Sequence, residues 1–107
     1  MISDSEFEAL VTTYARYEWL LRRIVLAENS LPPSSTPASV PVVSGIVDAV
    51  WFSREPADGA IAWEVRYLGP TQYALVEHLD EDEPDFEEKL REVEARLADA
   101  VAAKRFA

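Results

Sequence analysis

Four side chains could do chemistry together on one surface of this protein: Asp48, Glu64, Arg66 and His78. Two acids, a cation and an imidazole on neighbouring strands would suit a small-molecule site, with the imidazole able to move a proton near neutral pH. Cross-strand ion pairing accounts for the same residues equally well. His78 is the single histidine and there is no cysteine. Disulfides, thiol catalysis and thiolate metal sites are therefore excluded, and no metal cluster can be built around one histidine. No HExxH is present, and Gly45, Gly59 and Gly69 are not spaced as a phosphate loop or a dinucleotide motif. The residues point to a protein that is not an enzyme, with no catalytic residue, cofactor or metal.

A second cluster is acidic. The stretch HLDEDEPDFEEK, residues 78–89, holds seven Asp or Glu in twelve positions. A calcium loop starting at Asp80 would need glycine at its sixth position and glutamate at its twelfth, where Asp85 and Arg91 stand. The start of a helix explains the run better. Asp82 is suited to the N-cap and Pro84 to the first turn, and the acids sit where the helix dipole favours negative charge. Beyond that structural role, Asp80, Glu81, Asp82 and Glu83 are candidates for contact with a basic protein. As an alternative, the run with Asp85 and Glu88 could imitate phosphates and block a DNA- or RNA-binding protein.

Periodicity gives the helices and strands on which these residues sit. A chain of 107 residues with 49% hydrophobic composition fits one domain with one core. Ser3 and Glu6 form a capping box, with Ile2 and Phe7 placed for a hydrophobic staple. Phe7, Leu10, Val11, Tyr14, Tyr17, Leu21, Ile24 and Val25 share one face at helical spacing, which predicts a helix over 3–28. Glu18 breaks into that face and has Arg22 as an i,i+4 partner. Trp19 and Leu26 form a second apolar strip, on the side of Arg16, Arg22 and Arg23. Residues 29–41, rich in Pro and Ser, are a connection.

Residues 42–79 read as a three-stranded antiparallel meander, with turns at Asp58-Gly59 and Gly69-Pro70. The expected register sets Trp51 opposite Trp63, Ala49 opposite Val65, Val47 opposite Tyr67 and Asp48 opposite Arg66, then Tyr67 opposite Tyr73 and Val65 opposite Leu75. Both tryptophans then look into the core. The other face carries Ile46, Asp48, Val50, Phe52, Glu64, Arg66, Val76 and His78, more apolar than a solvated face would be. A last helix over 83–105 buries Phe86, Leu90, Val93, Leu97 and Val101, with i,i+4 pairs Asp85–Lys89, Glu87–Arg91 and Glu92–Arg96. The order helix, three strands, helix resembles the double-stranded-RNA-binding domain in topology alone. PDFEEKLRE places acid at the start of the last helix, where that family carries a basic cluster.

The expected architecture is α+β in two layers, both helices on one sheet face (α-β-β-β-α). With a formal net charge of −10, direct binding to nucleic acid or an anionic membrane is disfavoured. No apolar run is long enough to span a membrane and MISDSEFEAL is no signal peptide, so a cytoplasmic location is expected. Eight arginines against two lysines is a composition frequent in bacteria. The function expected is a small acidic interaction protein that binds a basic partner and forms a homodimer. Its contact surfaces would be Trp19, Leu26 and Phe52 with Glu64, Arg66 and His78, together with Asp80, Glu81, Asp82 and Glu83.

Overall fold

The structure, a computed structural model, describes residues 3–55 and 61–106. The elements are α1 (Asp4–Arg16), β1 (Leu20–Leu26), β2 (Val42–Ser44), β3 (Ala49–Arg54), β4 (Ala62–Tyr67), β5 (Ala74–His78) and α2 (Phe86–Phe106). The class is α+β, but the sheet has five strands in the order β2-β1-β3-β4-β5, with β1 and β2 parallel and the other neighbours antiparallel. The three-stranded meander is thus corrected to a mixed five-stranded sheet. The turn at Asp58-Gly59 and the staple through Ile2 lie outside the described residues.

The helix expected over 3–28 ends at Arg16. Its start is as expected: the Ser3 hydroxyl accepts from the Glu6 N–H at 3.2 Å, and the Glu6 carboxylate accepts from the Ser3 N–H at 3.4 Å. Its end is a left-handed cap. Glu18 has φ 68°, its N–H reaches the Ala15 carbonyl at 3.0 Å, and the Trp19 N–H reaches the Tyr14 carbonyl at 3.0 Å. The Tyr14 and Trp19 rings close the cap edge-to-face at 6.3 Å. Glycine usually takes this position, so a glutamate there conceals the stop.

Beyond the cap the chain enters a central strand. β1 lies between β2 and β3, and its second half, Ile24, Val25 and Leu26, is buried on both faces, so it shows no alternation of apolar and polar residues there. A bulge between Leu21 and Arg23 disturbs the period further. Leu21 pairs with Phe52 and Arg23 with Trp51, leaving Arg22 as the extra residue. Two successive arginines consequently serve the same side of the sheet.

The helices lie on opposite faces, giving three layers rather than two. One core holds Val25, Ala49, Trp51, Trp63 and Val65 against Phe86, Leu90, Val93, Leu97 and Val101 of α2. The other holds Ile24, Leu26, Val50, Phe52 and Leu68 against Phe7, with Leu10, Val11 and Tyr14 of α1 beside it. The apolar stripe of the last helix is therefore as expected, although the helix starts at Phe86 rather than residue 83. Trp51 and Trp63 do share a face, but Trp51 pairs with Val65 and Ser53 with Trp63. The β3–β4 register differs from the expected one by two residues, which leaves every side chain on its own face. Val65 opposite Leu75 is as expected.

The connection after β1 returns the chain for the parallel pair. Asp48, expected opposite Arg66, instead accepts from the Ala27 N–H at 2.8 Å and the Ser30 hydroxyl at 2.9 Å. Asp4 of α1 accepts from the Ser34 N–H at 2.9 Å, and Val40 packs into the α1-side core. On the approach to β3, a Cβ on Gly45 would run into the Val25 side chain, so only glycine brings that backbone so close to β1. No helix among the described residues is long and apolar enough to cross a membrane.

Candidate functional site

On the α1 side, the structure joins Glu64 and Arg66 through a residue from a third element. The Tyr14 hydroxyl donates to the Glu64 carboxylate, and Arg66 Nη1 donates to the Tyr14 oxygen at 3.5 Å. Tyr14 is fixed by stacking on Phe52, with ring centroids 4.0 Å apart and planes 18° apart. Burial, with the acceptor Glu64 beside it, pushes the Tyr14 pKa up to about 12. Beside this cluster a cleft of about 770 Å³ opens between α1 and the β4–β5 turn, with Leu10, Thr13, Tyr14, Arg66, Leu68 and Gln72 among its walls. The four-residue patch expected from sequence is not assembled. Asp48 holds the β1–β2 connection, and His78 stands exposed opposite Ala62 on β5. Helical spacing places Tyr14 in the core, and only the strand register reveals it as a partner of Glu64.

The apolar contact residues are mostly interior. Leu26 is 8% exposed and Phe52 is 0% exposed, both beneath α1, so neither offers a surface to a partner. The strip pairing Leu26 with Trp19 requires a helix through residue 28 and does not exist. Trp19 is half-buried against the α1-side core, with the Arg54 guanidinium 6.0 Å from its ring. Val50 and Phe52, half of the apolar excess on the outer face, are covered by α1. Ile46 and Val76 remain exposed.

The acidic run is sorted by the bulge. Arg22 donates to Glu81 at 2.8 Å and to the Ser53 hydroxyl at 2.9 Å, while its guanidinium lies 4.6 Å from the Trp63 ring centroid. Arg23 grips Glu87 with two bonds of 2.8 and 2.9 Å. This pairing holds the Glu87 carboxyl below its usual range and the guanidinium above its own. Lys89 bridges Glu83 at 2.9 Å and Asp85 at 3.7 Å. Asp80, Asp82 and Glu88 are exposed and, among the described residues, take no ion pair. The expected Asp82 cap is replaced by a turn. Asp80 accepts from the Asp82 N–H at 2.9 Å, and the first helical bond runs from the Lys89 N–H to the Asp85 carbonyl at 3.0 Å. Two expected helix pairs are also exchanged, since Glu87 takes Arg23, and Arg96 takes Glu77 at 2.6 Å.

One buried acid is not among the residues that sequence singles out. Glu94 is 5% exposed, accepts from the Trp51 indole N–H at 2.8 Å, and has its pKa raised by burial. It sits one residue after Val93 and three before Leu97, a position that a wider core-facing stripe would include. Among the described residues, no group of three or more His, Cys, Asp and Glu is placed to hold a metal ion. Comparison of the chain with protein-family models, with curated proteins and with solved structures finds no match.

Proposed function

We propose that this chain is a non-enzymatic binding protein for a partner with a basic surface, and that the partner docks on the outer face of α2. The observation carrying this reading is the placement of Glu88, Glu92 and Asp99. At about 100° per residue they fall on one line, opposite the buried stripe. All three are exposed and, among the described residues, none has an ion pair. Internal pairing occupies Glu81, Glu83, Asp85 and Glu87, and Glu94 is buried, which leaves Glu88, Glu92 and Asp99 as the exposed, unpaired acids of α2. Complementary potential of this kind accelerates encounter and selects among partners.

A protein partner is favoured over the imitation of phosphates because half of the six proposed surrogates, namely Glu81, Glu83 and Asp85, already bind arginine or lysine. The homodimer keeps Ile46 and Val76 as its apolar support, and sedimentation at micromolar concentration tests it. The function itself is tested by affinity capture from the native host at low and high salt, with wild type beside a variant carrying Glu88→Lys, Glu92→Lys and Asp99→Lys. Wild type should retain a basic protein that salt releases and the variant does not hold. Equal retention by both proteins would refute the reading.

A further inference from the structure

We propose that the cleft between α1 and the β4–β5 turn binds a small organic monocarboxylate, with Arg66 holding the carboxylate and the apolar wall holding its body. This site lies on the α1 face, away from the acidic line of α2, and does not depend on the partner-binding reading.

Arg66 is the cation of the cleft. Several basic side chains of the described residues are partly buried. Arg22 and Arg23 among them have carboxylate partners at 2.8 Å. Arg66 is partly buried and has no carboxylate within 4.0 Å among the described residues. Its one hydrogen bond to the described residues is the long one to the Tyr14 hydroxyl, at 3.5 Å. The remaining guanidinium N–H groups form a planar fork suited to two carboxylate oxygens. Glu64, two residues away on the same face, is occupied by the Tyr14 hydroxyl, which holds it as that bond's acceptor.

The cleft supplies the rest. Its volume of about 770 Å³ lies within the range of roughly 300–1,000 Å³ typical of small-molecule sites. Leu10, Leu68 and the Tyr14 ring make an apolar wall, and Thr13 and Gln72 add neutral polar groups at its border. Gly69 contributes backbone alone, since a Cβ there would collide with the Tyr67 ring. Charge limits the ligand class. Glu6 stands at the rim and the formal net charge is −10, so a polyanion such as a nucleoside diphosphate is repelled. One negative charge, met by one guanidinium, suits the site.

The test uses 4-phenylbutyrate as the probe and its neutral amide as the control, followed by two-dimensional NMR of the full chain. The acid should give saturable shifts confined to residues 9–14 and 66–72, and the amide should bind at least about tenfold more weakly. R66Q should weaken the acid by about tenfold or more and leave the amide unchanged. A9W, on an exposed position of the cleft wall, should block both while leaving Arg66 in place. The same spectra report whether each variant is folded. Absence of saturable shifts with wild type, equal binding of acid and amide, or an A9W variant that binds as wild type would overturn the proposal.

Discussion

The indole N–H of Trp51 donates to the Glu94 carboxylate at 2.8 Å, a bond that ties central strand β3 to the middle of α2 inside the core. Its two partners are 0% and 5% exposed. Removing the acceptor should strand a buried donor, so Glu94→Ala is expected to cost about 1–3 kcal/mol of stability beyond lost packing. Glu94→Gln keeps an acceptor oxygen and discards the charge. Chemical denaturation of the two variants should separate them clearly.

The same acid makes stability depend on pH. Burial raises the Glu94 pKa above its ordinary 4.5, so the native state holds this proton more tightly than the unfolded chain does. Its contribution to stability is present below 4.5 and is lost as pH rises through the raised value. Glu94→Gln should therefore match or exceed wild type at neutral pH. Its advantage should shrink as the pH is lowered toward 4.5, measured as the difference in unfolding free energy between the two proteins. A difference that does not change with pH would contradict this account.

Tyr14 gives a second titration signature at the alkaline end. A pKa of about 12 against an ordinary 10.0 means that the unfolded chain loses this proton first. The stability from Tyr14 is complete below pH 10 and is lost as pH climbs toward 12. Ultraviolet difference titration of wild type and Tyr14→Phe should show that the tyrosine removed by the substitution ionises late. The variant should retain the stack on Phe52 and lose the bond to Glu64, at a cost of about 1 kcal/mol near neutral pH.

Glu18 ends α1 in a left-handed conformation that costs a side-chain-bearing residue roughly 1–2 kcal/mol. Its carboxylate forms no hydrogen bond or ion pair to the described residues that would offset this. Glu18→Gly should raise the unfolding free energy by about 1 kcal/mol, less a few tenths for the added freedom of the unfolded chain, read as a higher denaturation midpoint. Glu18→Ala should stabilise much less, because it keeps the Cβ.

Arg23 and Glu87 form a two-bond pair, with 21% of the arginine side chain exposed and 57% of the glutamate. Solvent on the acid weakens the pair, so Glu87→Ala should cost about 1 kcal/mol. Arg23→Ala should cost more, since the arginine is the more buried partner. A double-mutant cycle should return a coupling below about 2 kcal/mol, falling with added salt.

Three features of this protein are legible in the chain alone. The stripe from Phe86 to Val101 can be read because a helix with one buried face writes its period plainly. The common facing of Trp51 and Trp63 can be read because strand alternation survives a register change of two residues. The capping box at Ser3 can be read because its hydrogen bonds are local. The features that hang on β1 arise only from tertiary packing. A central strand buried on both faces carries no alternation, and a bulge and a glutamate in a left-handed cap remove the remaining marks, so LLRRIVL continues the helical pattern of α1. That one segment brings with it the fourth and fifth strands, the opposite placement of the two helices, the burial of Leu26 and Phe52, and the ion pairs of Arg22 and Arg23. The Tyr14–Glu64–Arg66 cluster is equally hidden, because Glu64 and Arg66 stand 50 and 52 residues from Tyr14 and meet it only once β1 has carried the chain from α1 into the middle of the sheet.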